Sequence, residues 1–158
     1  MLKRLLYFVY GVTCYVIFLG TFLYTIAFVG GFAVPTRLDG PLQGSLVEAL
    51  LIDSLLLAVF AVQHSVMARR WFKEWWTRRV PWVIERSTYV LCASLALMLL
   101  VWQWRPIGVE IWVVEDTAAR AVLWSLFGLG WAIVLWVTFL IDHFDLFGLR
   151  QVWLSLVG

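Results

Sequence analysis

Four long apolar runs decide what this chain can become. They extend from Leu5 to Val34, Ser45 to Ala68, Pro81 to Trp104 and about Ala118 to Leu140. Each reaches or exceeds the ~20 residues that an α-helix needs to cross the hydrocarbon of a bilayer. Backbone N–H and C=O groups find no partners in hydrocarbon, so segments of this kind must be helical. Composition agrees: 63% of the residues are hydrophobic and 14% charged, against roughly 45–50% and about 25% in a soluble domain. The expected fold is an all-α membrane protein, a single membrane domain over residues 1–158, with helices near 5–33, 45–68, 82–104 and 118–140.

The first run follows Lys3 and Arg4 and imitates a secretory signal. It is too long for one, and no small-residue cleavage site follows. Its length calls for tilt or an early stop at Gly30–Gly31. Pro35 to Gly44 form a polar loop, and Pro81 suits the start of the third helix. In the fourth run, Gly128 and Ala132 have a spacing that lets another helix come close.

Lys and Arg are unevenly distributed. Nine of the twelve (Lys3, Arg4, Arg69, Arg70, Lys73, Arg78, Arg79, Arg86 and Arg150) fall on one side of the membrane, and Arg37, Arg105 and Arg120 on the other. The positive-inside rule then places both termini and the loop between the second and third helices in the cytoplasm, as expected for a bacterial inner-membrane protein. Within that loop, over 70–79, Trp71, Phe72, Trp75 and Trp76 recur at helical spacing, with Arg70, Lys73, Glu74 and Arg78 on the other side. Such a pattern predicts a short amphipathic helix lying in the interface, an anchor or a lid.

Ionisable groups inside a membrane helix cost roughly 2.5–3.5 kcal/mol at its centre, so they need partners. Asp53 is the deepest, and an interhelical hydrogen bond is expected of it. Other polar residues gather by depth at the cytoplasmic helix ends. Gln63 and His64 end the second helix, Glu85, Arg86, Ser87 and Thr88 begin the third, and Asp142, His143, Asp145, Arg150 and Gln151 follow the fourth. This predicts a polar cleft at the mouth of the bundle. Cys14 and Cys92 lie in apolar stretches and read as packing residues, with no metal-ligand spacing. A net charge of +2 gives nucleic acid no handle.

Two stretches carry a resemblance. One is Gln63-His64-Ser65-Val66-Met67-Ala68-Arg69, continuing through Phe72-Lys73-Glu74-Trp75-Trp76-Thr77-Arg78 and Ile84-Glu85-Arg86-Ser87-Thr88-Tyr89-Val90-Leu91 to Trp102-Gln103-Trp104-Arg105-Pro106. The other is Asp142-His143-Phe144-Asp145-Leu146-Phe147-Gly148-Leu149-Arg150-Gln151-Val152-Trp153. Together they resemble the membrane-bound methanethiol S-methyltransferases, which belong with the NnrU-type proteins and are more distantly similar to isoprenylcysteine carboxyl methyltransferases. The resemblance implies methyl transfer from S-adenosylmethionine to methanethiol or another small thiol, giving dimethyl sulfide. His64, Glu85, Arg86 and His143 are then the candidate catalytic residues, and Asp145, Arg150 and Gln151 the candidate cofactor contacts.

In that family the cofactor site centres on an Arg-His-Pro element and a later Glu. No Arg-His-Pro occurs between Met1 and Gly158. The expectation is a chain matching the front two-thirds of the enzyme, lacking its C-terminal cofactor-binding helices. Such a chain would be inactive alone, unless a partner chain supplies the remainder. A different class is the alternative: NnrU-type relatives include haem proteins, with His64 and His143 as axial-ligand candidates. A third is a non-catalytic membrane remnant.

Overall fold

The computed structural model describes residues 1–109 and 112–158. Seven helices follow in order: α1 (Leu2–Gly30), α2 (Leu46–Ala68), α3 (Arg70–Trp76), α4 (Trp82–Gln103), α5 (Thr117–Ile141), α6 (His143–Leu146) and α7 (Leu149–Val157). α1, α2, α4 and α5, of 29, 23, 22 and 25 residues, are long and apolar enough to cross a membrane. No strand occurs among the described residues. The expected all-α membrane fold is therefore observed.

Local chemistry sets the helix ends. The Ser45 hydroxyl accepts the backbone N–H of Glu48 at 3.1 Å and starts α2. Asp116 does the same for α5, accepting from Ala119 at 2.7 Å. Both satisfy donors that a helix start leaves open. α1 stops at the glycine pair: Gly31 takes the left-handed conformation, at φ 69°, and its N–H turns back to the carbonyls of Ala27 and Phe28. The helix accordingly ends three residues before the expected boundary. α3 ends at Trp76 rather than 79, where the Thr77 hydroxyl bonds the Lys73 carbonyl at 2.8 Å.

α4 occupies the middle of the packing, with α1, α2 and α7 against it. The apolar cluster of Phe28, Leu56, Leu100 and Val101 lies where α1, α2 and α4 meet, with Trp104 and Leu38 packed on it. At that end the Trp104 indole N–H donates to the Leu38 carbonyl at 3.1 Å. Asp53 makes the expected interhelical bond by accepting the backbone N–H of Arg105, just past α4, at 2.9 Å. Cys14 is buried and Cys92 half-buried, both as free thiols.

The chain beyond Leu140 folds further than its sequence suggested. α6 and α7 turn back onto the bundle, and α7 packs on α1 and α4. Gly11 of α1 makes room for Val152 of α7, which is fully buried, beside the equally buried Ser87 of α4. α5 behaves differently. It has no buried residue and meets α1 through ring contacts such as Phe22–Trp131 at 5.4 Å. Gly128 has nothing within contact distance, so the close helix approach expected at Gly128 and Ala132 is not made among the described residues.

Candidate functional site

At the end of the bundle where α3, α4, α5 and α6 converge lies a cavity of about 370 Å³. Lys73, Glu85, Arg86, Tyr89, Asp142 and Asp145 line it. Glu85 and Tyr89 are four apart on α4 and so share one face of the helix. The Arg86 guanidinium crosses to α6, where its Nη1 donates to the Asp145 carboxylate at 2.5 Å and to the Asp145 carbonyl at 2.9 Å. Asp142 continues the network. It accepts the backbone N–H of Asp145 at 3.2 Å and the Arg150 guanidinium at 2.9 Å. Asp142 also has φ 101°, a conformation that side chains other than glycine seldom adopt. That strain is borne at the junction of α5 and α6, between two ion pairs.

A second cavity, of about 540 Å³, lies on the other side of α6. Phe8, Val12, Phe144, Leu149 and Trp153 make its apolar wall, and Asp142 and Arg150 its charged edge. Asp142 thus borders both spaces. A larger cavity of about 600 Å³ lies at the opposite end of the bundle, against Leu38, Pro41 and Ile107. Among the described residues its lining holds one acid, Asp39, and no base, so the paired charges distinguish the first two.

The two histidines occupy different settings. His64, on α2, is exposed and stacks on Phe60 with ring centroids 5.5 Å apart. Its Nδ1 lies 3.1 Å from the Tyr89 hydroxyl, which joins it to the polar cavity through one side chain. His143 is buried behind the cavity, at 3% exposure. Thr138 donates its hydroxyl proton to the Leu135 carbonyl at 2.6 Å. It therefore accepts from His143 Nδ1–H at 2.7 Å, and Nε2 accepts from the Tyr15 hydroxyl at 2.8 Å. Phe139 stacks on the ring at 4.2 Å. Burial lowers the His143 pKa below the usual imidazole value, in keeping with this neutral tautomer.

Of the residues expected from sequence, Glu85, Arg86 and Asp145 share the polar cavity, and His64 reaches it through Tyr89. Arg150 stands on the apolar side, linked by Asp142. His143 has both nitrogens engaged, which leaves none free for an axial haem ligand or a proton acceptor. Gln151 lines neither cavity, and its buried side-chain oxygen has no partner among the described residues. Sequence reasoning missed Tyr89 as a site residue, although its position one turn after Glu85 was a usable signal. Lys73 and Asp142 were visible in the interfacial helix and the depth cluster, but nothing marked them as cavity walls. No group of three or more potential metal ligands occurs among the described residues.

Four membrane-length helices with a charged cavity at one end define an α-helical integral membrane protein with a polar site at the mouth of its bundle. Comparison with known proteins gives the relationship. The chain is 58% identical over 153 residues to the methanethiol S-methyltransferase of Crocosphaera subtropica, covering 97% of this chain and 60% of that protein. To the Mycobacterium tuberculosis protein of the same name it is 55% identical, over 99% of this chain and 64% of that one. It is thus a homologue of the methanethiol S-methyltransferases across most of its length, and spans about 60% of the length of these curated relatives. Nurim of Mus musculus is a distant relative, 34% identical over 72% of this chain and 45% of its own length. No protein-family model matches the chain, and neither does any solved structure.

Proposed function

We propose that this chain takes part in methyl transfer from S-adenosylmethionine to methanethiol or another small thiol, with dimethyl sulfide as the product. The relatives' name supplies the reaction. The observation that carries it to this chain is Asp142, which borders both an apolar and a charged cavity. A small apolar thiol partitions into lipid and suits the first space. A donor with a sulfonium, an ammonium and a carboxylate suits the second, which offers Glu85, Asp142 and Asp145 beside Lys73 and Arg86. When bound, that donor supplies an activated methyl group.

The chain's own residues hold and orient. Displacement at a methyl carbon is in-line, so alignment accounts for most of the rate. Arg86 and Asp145 tie α4 to α6 and keep the cavity walls in register. The reacting species is a thiolate, so the acceptor must lose a proton. Tyr89 and His64 give that proton a route from the cavity wall to an exposed imidazole. His143 positions α6 and does not take part in proton transfer.

In this assignment, further helices, in one polypeptide or in a partner chain, complete the cofactor site, because the relatives are longer. The charged mouth faces the cytoplasm across a bacterial inner membrane, supported by the nine cations at that end.

A chimera tests the proposal. Residues 1–158 replace the matching segment of the C. subtropica relative, and dimethyl sulfide is measured in the headspace over reconstituted protein. The chimera should form product, with Glu85→Gln and Asp145→Asn each lowering the rate about tenfold or more. A chimera that folds and inserts but forms none would sink the proposal. The isolated chain should form little, and full activity from it would remove the need for further helices.

A further inference from the structure

The stretch from Arg69 to Arg79 borders the polar cavity at Lys73 and, among the described residues, has no side-chain polar hold on the bundle. Its one ion pair among the described residues, Arg70 to Glu74 at 2.8 Å, is internal. The Thr77 hydroxyl bonds only Lys73 and Glu74 carbonyls of the same stretch. Among the described residues, no side-chain hydrogen bond or ion pair joins α3 to any other helix. Yet Lys73 of α3 forms part of the cavity wall, and a wall has to be kept in place.

The chemistry of the stretch shows what can keep it there. Arg69, Arg70, Lys73, Arg78 and Arg79 are cationic, and the single acid, Glu74, is already paired. Trp71 and Trp75, one turn apart, are 61% and 44% exposed. The Arg79 guanidinium lies over the Trp75 ring, 4.6 Å from its centroid, so cation and indole already form one joint surface. Indole rings settle at the headgroup level, and clustered cations beside them are drawn to negatively charged lipid.

We propose that residues 69–79 form a docking surface for anionic phospholipid headgroups of the adjacent leaflet, and that bilayer charge thereby holds Lys73 in the cavity wall. A zwitterionic surface satisfies the tryptophans but brings no net counter-charge to Arg69, Lys73, Arg78 and Arg79, the cations that Glu74 does not pair. The occupant is a lipid headgroup rather than a free anion, because the exposed indoles sit among the cations and only a bilayer offers both partners. This inference depends on the membrane fold and not on methyl transfer.

The test uses the whole chain in lipid nanodiscs carrying equal mole fractions of either brominated phosphatidylglycerol or brominated phosphatidylcholine. A Trp71→Phe/Trp75→Phe variant subtracts the signal of the remaining tryptophans. The brominated anionic lipid should quench the Trp71 and Trp75 fluorescence about twofold more than the zwitterionic one. That preference should fade between about 0.1 M and about 1 M salt, as screening shortens the reach of the charges. It should vanish in Arg78→Gln/Arg79→Gln and persist in Arg78→Lys/Arg79→Lys. Equal quenching by both lipids at low salt overturns the proposal, as does a preference that survives the glutamine variant. Loss of the preference on adding inorganic phosphate at constant ionic strength would mark a site for a soluble anion instead. The salt titration needs no substitution, so it decides the matter even where the glutamine variant inserts in the wrong orientation.

Discussion

Tyr15 of α1 and His143 of α6 are 128 residues apart in the chain and share a hydrogen bond of 2.8 Å. With Thr138 on the other ring nitrogen, the bond pins the region after the last long helix to the first one. Tyr15→Phe removes one partner from a buried ring and should cost about 1–2 kcal/mol, read as a lower midpoint in detergent unfolding. His143→Ala should cost more, because the stacked Phe139 and the tilted Phe147 lose their packing partner as well.

The same histidine makes a pH prediction. Its folded pKa lies below the ordinary imidazole value because burial disfavours the charged form. The unfolded chain therefore binds a proton first as pH falls. The His143 contribution is complete above about pH 6.5, declines below it, and levels off beneath the lower folded value. Unfolding midpoints across that range should fall with acid in the native chain, and fall less in His143→Gln. Identical slopes would refute the assignment.

Arg86 and Asp145 are each about one-third exposed, with side-chain values of 36% and 33%. Solvent screens the pair, so its coupling should be modest, about 1 kcal/mol in a double-mutant cycle of Arg86→Gln and Asp145→Asn. Each single variant should also loosen α6, seen as faster hydrogen exchange at Leu146 and Phe147. A coupling indistinguishable from zero would mean that the ion pair does not hold the mouth together.

Gly148 joins α6 to α7 at φ 80°, and a Cβ there would stand 2.7 Å from the Ser87 backbone nitrogen. Gly148→Ala meets both conformational strain and a backbone it cannot displace. A loss of about 3 kcal/mol is expected, or failure to accumulate in the membrane. A variant as stable as the native chain would show that α7 can leave α4 freely.

At the far end, Asp53 accepts the Arg105 N–H through Oδ1, while its Oδ2 is buried with no partner among the described residues. Asp53→Asn keeps an acceptor of the same shape and should change stability by less than about 1 kcal/mol. Asp53→Leu strands the Arg105 N–H and should cost about 2–3 kcal/mol. Thermal unfolding of the two variants side by side separates these outcomes.

Hydropathy alone determined the four membrane helices, because a run of apolar side chains long enough to span hydrocarbon leaves its backbone no other way to bond. Local stop and start signals were legible too, since Gly31, Ser45 and Pro81 act on their immediate neighbours. Depth was also readable. Their places at or just past the helix ends put Glu85, Arg86 and Asp145 at one end of the bundle, and they do share a cavity. Direction around each helix was not readable, because in lipid nearly every face is apolar and the pattern that would mark the inward side is faint. Only the tertiary structure therefore placed Tyr89 between His64 and the cavity, and buried His143 with both nitrogens engaged. The return of α6 and α7 onto α1 was likewise hidden. It depends on Gly11 receiving Val152 and on Tyr15 meeting His143, and such pairings between distant residues leave no mark on either segment alone.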